Sequence, residues 1–508
     1  MSILHCVNSP EMARVVAALH KEFDCPVVHL VMWQFVEQEL ATWKDLGWRG
    51  PVYSVPGFYF EHIDAIRAMS LDELDKAQRE LEAWLDISEN VRTVYYDRAF
   101  FKIHDFRKAR EIQVVYLMLA KKILEENDLD LVLLGREQYF WNILADAALR
   151  RGIPAMVFTS TRHVGLRMCG LDSQGRQLGM PEAFEALTRG EHPDPEGEKE
   201  AEALYREFVD RPVRPQYISP FVRSVSRSFK GILFGGVRAI ARNMKMYRDN
   251  EFDRESGFLD SSLAAISRWP TKAVVMTRLL HTDFLVRRPD FDRKYIYLPL
   301  HHTPEVSDLF YGEQYTHHES FVTDVARRLP SDYTLYVKDH TSMAGNRPLF
   351  FYKNLKKLYN VEVLHPSVST FDLIRNSRAV LTVTGTAGWE AYLLNKPVIV
   401  LGNVFYNFLP NVLRTNLDEP DFTRQVEEYL AGFTPDPESA RLALHAHYLS
   451  SVPVSFDIGN LRELGPNVAE YVRAVHPLVE KWGRWVAEND PRGKSIARRA
   501  SRKADAKG

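Results

Sequence analysis

At 508 residues the chain is longer than one ordinary domain, so two or three are expected. A hydrophobic share of 45% and a charged share of 26% suit a globular protein, and a net charge of −2 excludes a global pull towards nucleic acid. Three scattered cysteines (Cys6, Cys25 and Cys169) make neither a disulfide framework nor a zinc site, so a reducing compartment is expected.

The start, MSILHCVNSPEMARVV, lacks the basic and apolar regions of a signal peptide, and no window approaches 18 uninterrupted apolar residues. A cytoplasmic location follows as the expectation. Ile3 to Val7 reads as a strand, and Ser9-Pro10-Glu11 opens a helix with Ser9 as N-cap. Strands are expected at Val27–Met32, Pro51–Val55, Val91–Tyr96, Asp130–Gly135 and Ile153–Thr159. Helices are expected at Leu71–Leu85, Phe106–Asn127 and Gln138–Arg151. This alternation predicts a mostly parallel sheet covered on both faces. Two polar turns follow its strands, Gly135-Arg136-Glu137-Gln138 and Thr159-Ser160-Thr161-Arg162-His163, the second with Arg167 close behind. Such turns can bind ligands, although acids also favour helix starts for electrostatic reasons alone.

Residues 174–212 are acidic, Pro-rich and then helical, which suits an exposed loop or insertion. From Arg211 to Arg248 there are nine basic residues and no acidic one. At about 100° per residue, Phe221, Val222, Val225, Phe229, Ile232 and Leu233 share a face, with Arg223, Arg227 and Lys230 opposite. Such a helix could lie on an anionic membrane surface or pack between domains.

In the second half, Ala273–Thr277 and Lys294–Leu298 read as strands. The latter runs into Pro299-Leu300-His301-His302-Thr303-Pro304-Glu305, where a polar ligand loop fits better than a metal site, because HH-x-x-E has no helical i, i+4 pair. Helix Glu313–Arg328 precedes strand Tyr333–Lys338, which ends in Lys338-Asp339-His340-Thr341. An ammonium and an imidazole there can pair with phosphate. Helix Arg347–Tyr359, strand Val361–Leu364 and a helix from 371 to 377 capped by Ser369 or Thr370 come next.

The stretch Ala379–Gly402, AVLTVTGTAGWEAYLLNKPVIVLG, is strand, glycine-bearing turn, helix and strand, the length of one βαβ unit. Its turn, Thr384 to Gly388, falls where open parallel sheets bind ligands, and its glycines would let a ligand approach the backbone. Glu390 lies four residues after Thr386, one too far for a Thr-x-x-Glu capping box, so a sugar-hydroxyl contact is the expectation. Helices are expected at Asp421–Ala431, Pro437–Leu449 and Val468–Val486, the last breaking at Pro477.

TGTAGWEA followed by KPVIVLG, with YVKDH and then YLPLHHTPE upstream, resembles the bacterial capsule and surface-polysaccharide biosynthesis proteins, which are glycosyltransferase-like. The resemblance is strong over about 290–410 and looser over 128–167. It implies an α/β, GT-B-like fold of two doubly wound Rossmann-like domains facing a central cleft, with a C-terminal helix crossing back. The expected division is 1–173 for the acceptor-side domain, 174–255 for a linker with the basic helix, 256–460 for the donor domain, 461–490 for the return helix and 491–508 for a basic tail.

The resemblance also implies a nucleotide-activated sugar as substrate, with a glycan or lipid-linked acceptor, no cofactor and no metal. Lys338 and His340 would contact donor phosphate. Thr384, Gly385, Thr386 and Glu390 would hold phosphate and ribose, with His302 and Glu305 beside them. Thr341 stands where the family usually has Pro. Arg136, Arg162 and Arg167 would face the acceptor, and Glu137 and Glu11 are the candidates for a general base. The expected activity is glycosyl transfer in building a surface polysaccharide. A non-catalytic scaffold, a CDP-polyol phosphotransferase and a nucleotide-sugar epimerase remain as alternatives.

Overall fold

The structure, a computed structural model, describes residues 2–6, 14–15, 17–18, 21, 26–40, 50–88, 103, 105–133, 139–162, 167–172, 175–212, 241, 244–245, 248–255, 262–303, 305, 309, 311–454, 467–474 and 476–477. Two sheets organise them. The first has seven strands: β1 (Ile3–Cys6), β2 (Val27–Val31), β3 (Val52–Ser54), β4 (Leu131–Leu133), β5 (Ala155–Ser160), β6 (Arg167–Leu171) and β13 (Val452–Pro453). Their order is β13-β6-β5-β4-β1-β2-β3, parallel from β5 to β3 and antiparallel at β6 and β13. β1, β2 and β4 are buried at every residue, as continuous apolar runs in a parallel sheet should be.

The second sheet has six parallel strands in the order β12-β11-β10-β7-β8-β9. They are β7 (Tyr295–Pro299), β8 (Thr334–Lys338), β9 (Val361–Leu364), β10 (Ala379–Thr382), β11 (Val398–Val400) and β12 (Val412–Arg414). Side chains alternate between its faces. Ile296, Leu298, Leu335, Val337, Leu381 and Ile399 enter one core, with Met276, Leu279, Val322, Leu355 and Val426 from helices on that side. Tyr295, Tyr297, Tyr336, Val380 and Val400 enter the other, with Trp389 and Leu444 from helices opposite. Both units are therefore doubly wound α/β sheets, and the pair forms the GT-B-like architecture.

Several elements differ from the sequence reading. Ala273–Thr277, expected as a strand, lies in helix Ser262–His281. Ala273, Met276, Leu279 and Leu280 are buried and Val274 is 65% exposed, a helical spacing that the apolar run Ala273–Met276 conceals. Helix Val55–Arg67, which begins where a strand was expected to end, is capped by Ser54, whose side chain accepts from the Gly57 amide, with Pro56 in its first turn.

The acidic 174–212 stretch is not an exposed loop. It forms helices Met180–Thr188 and Pro195–Asp210, and Met180, Phe184, Leu187 and Phe208 are buried on the second sheet's face. The acidic residues, at 74% and 83% side-chain exposure for Glu185 and Glu196, mask the apolar side of these helices in composition alone. The expected helix from Glu313 is interrupted: a 3₁₀ turn, Glu313–Tyr315, precedes helix His318–Arg328.

At the C-terminal end the chain returns to the first unit. β13 pairs with β6, and Val468, Tyr471 and Val472 are buried in the first core. The basic stretch 213–240 and the expected strand Val91–Tyr96 lie outside the described residues. Among the described residues no helix is long and apolar enough to cross a membrane.

Candidate functional site

In the second sheet the strand order reverses between β7 and β10: β8 and β9 follow on one side, β11 and β12 on the other. Open α/β sheets bind ligands beyond the strand ends at such a switch point. His301 and His302 follow β7 directly, and Thr384, Gly385 and Thr386 follow β10. The His301 Nε2 accepts from the Thr384 amide at 3.3 Å, closing the two strand ends on each other. Gly385 is the N-cap of helix Thr386–Leu393 and makes no side-chain cap. Its amide donates to Thr382 Oγ1 at 2.9 Å, and a Cβ there would meet that oxygen at 2.7 Å.

The glycines of this turn admit the protein's own groups. A Cβ on Gly388 would meet the Tyr406 hydroxyl at 2.3 Å, and that hydroxyl donates to the Gly385 carbonyl at 2.7 Å. At Gly402 a Cβ would meet the Tyr311 and Val383 carbonyls at 2.7 and 2.8 Å.

A buried polar cluster supports this rim. Arg347 Nε donates to both Asp339 carboxylate oxygens at 3.1 Å, and its Nη2 donates to the His301 carbonyl at 2.9 Å and to His318 Nδ1 at 2.6 Å. The Tyr352 hydroxyl donates to Asp339 Oδ2 at 2.6 Å. Arg347 thus ties the ends of β7 and β8 to helix His318–Arg328. Burial, reinforced by the nearby His340 and Arg347, pulls His301 down to about 4, so its ring is neutral and can accept from an amide. Burial and Arg347 also hold His318 far below the usual histidine range. Asp339, Arg347 and His318 were not singled out from the sequence; the one local signal was an aspartate between Lys338 and His340 at a strand end.

The expected donor residues divide. His340 lies at the rim, its imidazole pulled down chiefly by burial. Its ring centroid is 5.9 Å from that of His302, and Ser342 Oγ sits 2.6 Å from the Nδ1 of each. Lys338 is 6% exposed, and its Nζ donates to the Val368 carbonyl at 2.6 Å and to Thr370 Oγ1 at 2.9 Å. The ammonium therefore fastens the turn after β9. Glu305 accepts the Leu309 amide on its carbonyl at 2.8 Å.

Glu390 is 4% exposed and forms an ion pair with Arg162, which crosses from the first unit. The guanidinium also lies 5.6 Å from the Phe208 ring centroid and 6.0 Å from that of Phe371. A residue expected on the acceptor side and one expected on the donor side thus meet in one buried contact between the units. Arg136, Glu137 and Glu11, and the side chain of Arg167, lie outside the described residues.

The turn His340-Thr341-Ser342 recurs at the end of β9. Ser342 N donates to His340 Nδ1 at 3.3 Å, and Ser367 N donates to His365 Nδ1 at 3.0 Å. Thr341 and Pro366 occupy the middle of equivalent turns, so Thr in place of Pro leaves the geometry intact. Beyond β11 and β12, a cavity of about 800 Å³ is lined by Glu313, Gly402, Asn403, Arg414 and Asp418, among others.

Residues 306–410, about a fifth of the chain, match the family described as capsule polysaccharide biosynthesis protein. The chain is 32% identical over 151 residues to Protein FixF of Sinorhizobium fredii, covering 28% of this chain and 31% of that protein. It is 28% identical over 147 residues to the capsule polysaccharide export protein KpsS of Escherichia coli, covering 27% and 35%. These matches span about a third of the relatives' own length.

Among solved structures, the beta Kdo 2,4 transferase of Thermosulfurimonas dismutans KpsC aligns at 14% identity and a TM-score of 0.36, covering 67% of this chain and 87% of that one. The UDP-GlcNAc 2-epimerase of Methanocaldococcus jannaschii aligns at 13% and 0.25, covering 87% and 98%. At such scores the fold rests on the strand order described above. Over 306–410 the chain is similar to the family described as capsule polysaccharide biosynthesis protein, and its YVKDH and TGTAG motifs fall within that stretch.

Proposed function

We propose that the chain is a glycosyltransferase that takes a sugar from a nucleotide donor to build a capsular or other cell-surface polysaccharide. The observation that carries this is the β7–β10 switch point, where the neutral His301 imidazole meets the Thr384–Thr386 turn, and that turn and His340 lie within the family-matched stretch 306–410. Sugar transfer requires a leaving nucleotide stabilised by fixed donors. His340 and the amides opening helix Thr386–Leu393 would supply them, and His302 would contact the sugar side. The adjacent cavity of about 800 Å³ falls within the range of small-molecule sites.

The internal engagement of Lys338 and Glu390 favours a second reading, a GT-B-like subunit that binds its ligand without turning it over. The test uses purified full chain with UDP-, GDP-, CMP- and CDP-linked sugars and a glycan acceptor. Transfer or slow donor hydrolysis supports the enzyme, binding without turnover in the presence of acceptor supports the subunit, and a folded protein that binds none of the donors defeats both. Docking on an anionic membrane through 214–248 belongs to the same proposal and would be tested by sedimentation with anionic vesicles.

A further inference from the structure

The Ser342 hydroxyl has a single proton and two imidazole neighbours. Its Oγ lies 2.6 Å from His340 Nδ1 and 2.6 Å from His302 Nδ1. The backbone decides which neighbour receives the proton. Ser342 N also donates to His340 Nδ1, at 3.3 Å, and the same turn puts His340 at the N-cap of the 3₁₀ helix Thr341–Met343. His340 Nδ1 is therefore an acceptor, and a neutral ring that accepts there carries its proton on Nε2. The hydroxyl proton fills that acceptor's contact, so Oγ meets His302 through a lone pair and His302 Nδ1 must be the donor. In the neutral ring the unprotonated nitrogen of His302 is then Nε2.

We propose that Ser342 is a positioning residue that locks His302 and His340 into opposite tautomers, so that Nε2 carries a proton in one ring and none in the other. On the nucleotide-sugar reading, on which the ligand assignment rests, His340 Nε2–H donates to an anionic phosphate oxygen and His302 Nε2 accepts from a sugar hydroxyl. A phosphate oxygen takes only a donor, whereas a hydroxyl can donate as well as accept, so opposite tautomers let the pair hold a phosphate oxygen and receive a hydroxyl proton at once. The histidine turn after β9 sharpens the contrast. Ser367 holds His365 in the same way, through Nδ1, and no second imidazole is bonded to Ser367 among the described contacts. The paired arrangement is thus a property of the β7 and β8 ends, where the switch point lies.

The test is a long-range ¹H–¹⁵N spectrum of the full chain labelled at histidine nitrogen, recorded at alkaline pH and assigned with His302→Gln and His340→Gln. The expected result is an Nε2–H signature for His340 and an Nδ1–H signature for His302, with the latter lost in Ser342→Ala and kept in Ser342→Thr. An Nε2–H signature for His302 in the wild type overturns the proposal, and this reading holds even if Ser342→Ala does not fold. Titration with the bound nucleotide sugar should show affinity falling about tenfold in Ser342→Ala and recovering in Ser342→Thr. The predicted tautomers without binding of any nucleotide sugar would defeat the functional reading and leave the lock standing. Reversed tautomers defeat the lock whatever binds.

Discussion

Breaking the Arg162–Glu390 pair should cost more than breaking any exposed ion pair of the molecule. The two side chains are 3% and 6% exposed, so neither charge can rehydrate in place. Glu390→Leu takes the carboxylate away from a buried guanidinium beside the Phe208 and Phe371 rings, and Arg162→Met takes the guanidinium away from a buried carboxylate. Removing one partner of a buried pair costs about 3–5 kcal/mol, a large share of a total stability of ~5–15 kcal/mol. The double variant removes both charges and fills the space with apolar atoms, so it should be less destabilised than the sum of the single variants by roughly 2 kcal/mol or more.

Urea unfolding of the four proteins measures this cycle, with Lys294→Ala as control, since Lys294 and Asp332 are 53% and 56% exposed and their loss should scarcely move the midpoint. Single-variant losses that add to within about 0.5 kcal/mol would refute a coupled buried pair. A corollary concerns ligand assays: weak donor binding by a Glu390 variant cannot be read as a lost contact until its stability is known.

Two further outcomes follow from the rim. Gly402→Ala drives a methyl against two backbone carbonyls that cannot rotate away, and should lower stability by about 1–3 kcal/mol in urea unfolding; wild-type stability would show that the loops part freely. Burial lowers the His301 pKa to about 4 in the folded protein, against an ordinary histidine value of 6.5, so the unfolded chain holds more protons between these values. Its contribution is complete above 6.5 and is lost as pH falls towards 4, by roughly 1–3 kcal/mol. His301→Gln should flatten that part of the pH–stability curve, and an unchanged slope would show that His301 is not held neutral by the fold.

Much of the second unit was legible from its strands. A parallel strand covered on both faces is a short apolar run ended by a polar turn, and β9, β10 and β11 fall within a residue or two of where such runs end. The same shorthand failed at Ala273–Thr277, where four apolar residues and a threonine are about one turn and a half of a helix, and at β6, whose antiparallel pairing between β5 and β13 needs no continuous apolar run.

Site residues followed a similar divide. Residues at strand ends were found because sheet topology puts strand ends together. Arg347 and His318 were missed because their partners lie 8 to 46 residues away, on elements whose packing no local pattern records. Glu390 was noticed because capping could not explain it, yet its partner came from the other unit, 228 residues away. The glycines of the turn were read as room for a ligand, and they are filled by Tyr406 and His301.

The central claim is that the β7–β10 crevice holds a nucleotide-activated sugar, and calorimetric titration of the purified full chain with the donor panel tests it most directly. The account predicts saturable binding of at least one donor, abolished in a folded His340→Ala variant. Saturable binding that His340→Ala leaves unchanged, or a folded wild type that binds no member of the panel, would contradict it.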